Sequence, residues 1–337
     1  MKQLNNIFRI SILATLLPFY LSAQNIAPGY EVATWKGFTK AAVTYTFDDN
    51  TPNQYSIGIP LFNEFDLQAT FYPVINWEPN WEAFNEAAAT GHEIASHTVA
   101  HRSFNDLSEQ EQHNELKNSQ EIIQSKIEGE KCLTHAYPFC IPAIEGIVSE
   151  YYLAARHCFG QVEKATPDNF FLINAIMVGS EYNIETAEDL IMKADEAVQL
   201  GGWCTYVFHG IENDGGYSPV DSLELRKSLQ HFDKNRDTYW VATFADVTRY
   251  IKQRDAVSIS EKKAGKKSIR VEISHTLDNS IYNIPLTFRR IFPNDWKNAR
   301  VKQGKKVLTS KPVKIGDNLY IEFEAIPNAG EVKINKL

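Results

Sequence analysis

Cysteine is scarce in this chain of 337 residues: there are four, Cys132, Cys140, Cys158 and Cys204. No two form a Cys-x-x-Cys pair, and four thiols allow three pairings that the sequence leaves open. Cys132 and Cys140 flank an expected strand too long for them to bond easily to each other, and buried free thiols are the alternative. An excess of positive charge is also lacking. Lys and Arg total 34 against 42 Asp and Glu, a net charge of −8, which argues against a nucleic-acid partner. Long apolar runs are missing as well. The one at residues 10–21 is short and broken by Pro18, so no permanent membrane span is expected.

That short run has a different reading. Lys2 and Arg9 precede it and Leu21-Ser22-Ala23 follows it, the layout of a cleavable signal peptide over residues 1–23. There is no cysteine near Ala23 to accept a lipid anchor. The expectation is therefore a soluble exported protein, periplasmic or secreted after cleavage near Ala23. Loss of Lys2 and Arg9 takes the net charge from −8 to −10.

With 43% hydrophobic and 23% charged residues, the remainder is an ordinary globular composition, long enough for one large domain and a small one. Residues 40–47 read as a strand, 54–65 as a helix and 68–74 as a strand, a βαβ opening that implies parallel pairing. The alternation continues with a helix at 81–90 stopped by Gly91, and a strand at 92–96. A helix then starts at the Ser108 and Glu111 capping box and ends at Gly129. Residues 133–137 read as a strand, 145–155 as a helix, 170–176 as a strand, 186–200 as a helix and 203–208 as a strand. Helices at 223–235 and 244–252 complete it. Such an alternation predicts an α/β fold, a closed or nearly closed parallel barrel with its chemistry on loops after strand C-termini. Residues 24–254 are assigned to this barrel.

Residues 260–267 are a lysine-rich polar stretch, and 255–265 read as a linker. Over 266–337, short alternating segments at 268–274, 283–289, 299–303, 318–323 and 331–334 predict a small β-sandwich. Its expected role is a packing cap rather than a sugar-binding module.

The chemistry concentrates at strand ends. Residues 42–49 read Ala-Val-Thr-Tyr-Thr-Phe-Asp-Asp, an apolar run delivering two adjacent carboxylates, which resist joint burial unless a cation or proton lies between them. His97-Thr-Val-Ala-His101 follows. On one helical turn both imidazoles would point the same way, and Asp49 would complete a three-ligand site with an open position for water. Asp48 is then left to accept a proton. His209 follows an apolar strand and precedes Gly210, so it is expected at the barrel mouth, placed to protonate a leaving group. Asp214 lies in a Gly-rich loop there, either touching substrate or capping a turn. Trp77 and Trp81, at helix starts, read as packing residues. His92, His113, His135, His157, His231 and His275 have no partners apparent in sequence, and structural roles are expected for each.

Thr46-Phe47-Asp48-Asp49, His97-Thr98-Val99-Ala100-His101, Ala136-Tyr137-Pro138-Phe139 and Tyr206-Val207-Phe208-His209-Gly210 together resemble, in order, motifs of the polysaccharide deacetylase family, the NodB-homology or carbohydrate esterase family 4. The resemblance covers roughly residues 38–252. It implies a distorted (β/α) barrel of about seven strands, and metal-dependent removal of acetyl groups from a carbohydrate. Asp49, His97 and His101 would hold the metal, Asp48 would be the base and His209 the acid, and the backbone N–H of Tyr137 would be an oxyanion donor. Zinc is the default for a His, His, Asp set, with cobalt or nickel as other fits. The partner implied is an acetylated carbohydrate. The rivals are an acetyl xylan esterase, a small cyclic-amide amidohydrolase and a catalytically silent glycan-binding protein.

Three departures from the family pattern stand out. Asn50 replaces a glycine, and asparagine tolerates left-handed backbone geometry. No arginine precedes Tyr137 to hold the base, leaving His135 as a weak substitute or nothing at all. The Asp-Trp group that orients the acid histidine has no clear match between Phe159 and Gly202.

Overall fold

The computed structural model describes residues 25–337; the leader expected over 1–23 lies outside them. The first strand, β1 (Tyr30–Val32), leads into β2 (Ala41–Asp48), in which every residue is buried. Helix α1 (Ile59–Glu64) crosses to β3 (Thr70–Tyr72), and α2 (Trp81–Ala89) crosses to β4 (Glu93–Ile94). Both strands extend the sheet in parallel from β2. Next come α3 (Glu109–Lys126), β5 (Thr134–Ala136), α4 (Glu145–Val148), β6 (Ala154–Arg156) and β7 (Ile176–Met177). The run ends with α5 (Ala187–Leu200), β8 (Trp203–Phe208), α6 (Ser222–Lys234), β9 (Tyr239–Val241) and α7 (Phe244–Ala256).

The sheet returns on itself. β7 pairs with β8 and β8 with β2, both in parallel, while β5 pairs with β6. Single parallel bridges, from Ser96 to His135 of β5 and from Arg156 of β6 to Ile173, join the remaining edges. Strands β2 to β8 thus make the seven-stranded parallel barrel that the motifs implied. Short strands and single bridges are the distortion. β9 pairs only with the first half of β2, at 41–43, below the point where β3 joins at 46–48.

Parity along β2 sorts its side chains. Val43, Tyr45 and Phe47 pack outward under the helices with Phe62 and Phe232, and the Tyr45 hydroxyl donates to Ser228 Oγ at 2.9 Å. Phe47 stacks on Phe71 and Phe208 at centroid distances of 5.2 and 5.0 Å. Thr44, Thr46 and Asp48 alternate with them on the other face. A strand buried on both faces has no polar surface of its own, which is why it reads as a continuous apolar run.

Three expected elements differ most. The strand expected over 170–176 is the two-residue β7, preceded by a single bridge at Ile173. The helix expected over 145–155 is a single turn, α4, followed by the strand β6. Ala154 and Ala155 favour helix locally, but pairing with β5 at 134–136 overrides that weak preference. The linker expected over 255–265 is largely a strand, β10 (Ser258–Ala264), antiparallel to β11 (Ser268–Ser274). β10 lies at a sheet edge, and its lysines are the charges that discourage further strand pairing there.

The remaining strands are β12 (Leu286–Ile291), β13 (Ala299–Gln303), β14 (Lys306–Val307), β15 (Ser310–Ile315), β16 (Asn318–Ala325) and β17 (Val332–Lys336). They form two sheets, ordered β10-β11-β17-β13-β14 and β1-β12-β16-β15, around an apolar layer that includes Val271, Phe288, Val301, Phe323 and Ile334. This sandwich is wider than 266–337, because it takes β1 from the start of the described chain and β10 from the expected linker. Tyr250 of α7 joins its core and donates to the Ala33 carbonyl at 3.2 Å, and Gln253 donates to the Ile284 carbonyl at 3.0 Å.

Candidate active site

β2 ends at Asp48, and the chain then turns through Asp49 at φ 75° and Asn50 at φ 43°. Left-handed backbone is uncommon outside glycine and is held here by surrounding contacts. Asn50 supplies some of them: its Oδ1 accepts from Val74 N–H at 3.0 Å, and its Nδ2 donates to the Trp77 carbonyl at 3.2 Å. The asparagine therefore adopts the left-handed turn expected of it and also braces the neighbouring loop.

His97 and His101 do not share a helical turn. The segment is a loop, with Thr98 at φ 71° and His101 at φ 52°. Thr98 Oγ1 accepts from His101 N–H at 2.9 Å. Glu115 of α3 accepts from Val99 and Ala100 N–H at 2.8 and 2.9 Å. These bonds replace helix geometry, yet the imidazoles still converge, with ring centroids 4.8 Å apart.

Asp49 Oδ1 lies 3.6 Å from His97 Nε2 and 3.7 Å from His101 Nε2. One ligand atom from each of the three residues fits within 4.8 Å of the others. His97 Nδ1 meets the Ala136 carbonyl at 2.8 Å, a contact that puts the ring proton on Nδ1 and leaves the Nε2 lone pair facing Asp49. Asp49 Oδ1 is buried and has no hydrogen-bond partner among the described residues. A buried carboxylate oxygen left unpartnered between two imidazole lone pairs suits a divalent cation.

Burial, and then the charge of Asp48, push the Asp49 carboxyl up to about 7. Burial likewise pushes His97 down to about 3, against the opposing pull of Asp48, and lowers His101. A site that holds a carboxylic acid and two neutral imidazoles already has the ligand forms a cation needs, apart from one proton.

Asp48 behaves oppositely. Burial alone would raise it, but Arg156, then His97 and His209, hold its carboxyl below the ordinary value. Arg156 ends β6, is buried, and donates to Asp48 Oδ1. Its guanidinium carbon also sits 5.0 Å from the Tyr72 ring centre. The arginine missing before Tyr137 is thus supplied by the next strand, and sequence reasoning missed it with that strand. The available signal was weak, a short apolar run over 151–155 that suits helix or strand equally. His135 does not substitute for it: His135 is buried, and its Nδ1 meets Ser96 Oγ at 3.1 Å.

His209 follows β8, and its Nε2 is 4.0 Å from Asp49 Oδ2. Burial lowers its pKa, more than Asp48 raises it. Its buried Nδ1 has no hydrogen-bond partner among the described residues, so no carboxylate orients this ring. The edge of the ring meets Tyr217, at a centroid distance of 5.3 Å. Asp214 caps the loop between them, accepting from Gly216 N–H at 2.9 Å, Asn53 N–H at 3.2 Å and Ile211 N–H at 3.3 Å.

Tyr137 corrects another expectation. Its N–H donates to the Arg156 carbonyl at 3.2 Å, continuing the β5 and β6 ladder, and its hydroxyl donates to the Phe171 carbonyl at 3.1 Å. The oxyanion role implied for that N–H therefore does not fit. Phe139, two residues on at φ 56°, is the exposed side chain of this turn. Cys140 and Cys158 form a disulfide that ties the turn to the segment after Arg156. Cys132 and Cys204 are buried free thiols.

Asp48, Asp49, His97, His101, Arg156 and His209 all face one cavity of about 410 Å³. Two adjacent carboxyls, one paired with a guanidinium, and three imidazoles in one concave site can bind a cation and move protons on a substrate.

Known proteins bear on this geometry in three ways. The polysaccharide deacetylase family model matches residues 36–142, which places that segment in the family; it includes both carboxylates and the His97 and His101 loop. A solved polysaccharide deacetylase from Mycobacterium smegmatis, named as such provisionally, superposes with a TM-score of 0.52 at 16% identity, over 72% of this chain and 99% of that one. A solved allantoinase, Puue, superposes with a TM-score of 0.50 at 13% identity, over 65% of this chain and 92% of that one. Both likenesses are of fold. A gellan lyase from a Bacillus species is 27% identical over 327 residues. The alignment takes in 90% of this chain and 13% of the lyase, so the chain spans a small part of that relative's length.

Proposed function

We propose that this chain, whose residues 36–142 fall in the polysaccharide deacetylase family, is an exported metal-dependent hydrolase that removes acetyl groups from a carbohydrate. The observation that carries this reading is the division of labour between adjacent carboxylates. Asp48 is paired with Arg156, while Asp49 is left to His97 and His101. Asp49, His97 and His101 would hold a divalent cation, zinc by the chemistry of the ligand set. When bound, such a cation makes water acidic and a carbonyl electrophilic.

The protein's own groups do the rest. Asp48, kept ionised by Arg156, takes a proton from the attacking water as the carbon–oxygen bond to the acetyl carbon forms. The ion pair also aims the carboxylate, because a guanidinium holds a carboxylate in a fixed plane. His209, on the other side of Asp49, gives a proton to the departing sugar nitrogen or oxygen as the acyl bond breaks. Burial around His97 and Asp48 keeps bulk water from competing for these protons. The products are acetate and a free amine or hydroxyl on the sugar.

The experiment is acetate release from a panel of N- and O-acetylated glycans by the purified protein, before and after chelator treatment and metal return. Release that stops with chelator and resumes with zinc supports the reading. Release unaffected by metal removal rejects it, as does none from any glycan at any metal loading.

A further inference from the structure

Trp77, expected as a packing residue, is 47% exposed. It stands beside the site: its ring centre is 4.9 Å from that of His101, and His101 is 4.7 Å from Phe139, itself 61% exposed. These three rings form a row across the His101 side of the site. Tyr217, 51% exposed, stands by His209. Exposed aromatic rings grouped around a polar centre are binding surfaces more than core residues.

The space between them is a cleft. A second cavity of about 760 Å³, with Trp77 in its wall, adjoins the one described above, and the two share Asp49 and Tyr217. Asp49 thus stands where the two meet, with Trp77 on one side and Phe139 on the other. A chain laid through the cleft would pass the reacting centre between two aromatic faces.

Beyond the reacting centre the charge in the walls is of one sign. On the Trp77 side it comes from Glu78 and Asp214, and no Lys or Arg lines that wall among the described residues. On the Phe139 side the only Lys or Arg is Arg156, already held by Asp48. A carboxylate-bearing sugar placed on Trp77, away from the metal ligands, would lose water beside Glu78 and Asp214 and meet no unpaired Lys or Arg in either wall.

We infer that, given the deacetylase reading, the cleft takes an uncharged glycan lengthwise, with one sugar ring on Trp77 and another on Phe139, and discriminates against uronate-bearing chains. The test uses the full protein in its zinc-loaded form. It compares acetylated, uronate-free xylo-oligosaccharides of two and of six sugars with acetylated oligogalacturonate of six. The longer neutral chain should gain about tenfold in kcat/KM over the shorter, and the uronate chain should fall about tenfold below its neutral counterpart. Trp77→Ala or Phe139→Ala should remove most of the length gain. Glu78→Lys should narrow the gap between uronate and neutral chains, a gain that misfolding cannot imitate.

Equal kcat/KM on two and six sugars overturns the inference, as does a preference for the uronate chain, and both leave the hydrolase reading standing. If acetate appears from no substrate, 4-nitrophenyl acetate included, the hydrolase reading fails by itself. Mobility in native gels containing uronate-free acetylated xylan or polygalacturonate then decides the cleft. Retardation in the neutral gel alone, lost in Trp77→Ala, upholds it. No retardation, or retardation by polygalacturonate, overturns it.

Discussion

Arg156 and Asp48 are 108 residues apart in sequence and form a buried ion pair, the guanidinium donating to Asp48 Oδ1. Arg156→Leu should leave a buried carboxylate without its cation, at a cost of about 3–5 kcal/mol. Arg156→Lys should fold better, because it keeps the charge, and still lose about a hundredfold in turnover through misaim of Asp48. Thermal unfolding and kcat on an acetylated glycan check both. A fully active Arg156→Lys protein would detach the guanidinium's shape from function.

The metal-holding histidines and the base should separate on substitution. His97→Ala and His101→Ala should each lose the bound metal, since three protein ligands fall to two. Asp48→Asn should keep the metal and lose about two to four decades of turnover. Elemental analysis alongside kinetics makes the distinction. Unchanged metal in both histidine variants would remove them from the ligand set.

His209→Ala should lose most activity on acetylated sugar and much less on 4-nitrophenyl acetate. A sugar amine or alkoxide needs a proton as it leaves, and nitrophenolate does not. Equal loss on the two substrates would make His209 a binding group instead.

Cys140 and Cys158 should be found joined by peptide mapping without reductant, while Cys132 and Cys204 react with a thiol reagent only after unfolding. The bridge closes a short loop, with a sequence separation of 18. Removing it with Cys140→Ser and Cys158→Ser together should cost about 3 kcal/mol in urea unfolding. It should also lower activity on glycan, because it frees the Phe139 turn.

Glu93 gives a pH signature away from the proposed metal ligands. Burial, and then the charge of Glu130, push it up to about 7, while it accepts from Thr70 Oγ1 at 2.8 Å and Ala245 N–H at 2.8 Å. A carboxyl raised above its unfolded value stabilises the fold fully below that value, near 4.5, and the contribution is lost as pH rises toward 7. The loss amounts to at most about 3 kcal/mol. Glu93→Gln should therefore flatten the fall in stability over that window. Urea unfolding from pH 4.5 to 8 measures it, and a variant with the parent's slope would exclude Glu93 as its source.

Local pattern in the sequence was enough to read the parallel barrel, most of the sandwich strands and the starts of several long elements. Periodicity and capping are local: Ser108 and Glu111 form their box, and residues 203–208 form β8 as read. It also brought Asp48, Asp49, His97, His101 and His209 together, because each ends or follows a strand of the same barrel, and parallel strands deliver their ends to one face. Tertiary structure decided what those residues meet. β6 exists through pairing with β5 across about twenty residues of chain, a force that outweighs the helical preference of its alanines, so Arg156 was out of view until the strand was. The same pairing occupies the Tyr137 N–H. Trp77 lies against His101 because Asn50 holds its loop, and the disulfide joins Cys140 to Cys158 because neighbouring strands end side by side. Proximity between residues distant in the chain has no local period to read, and it is fixed only when the sheet closes.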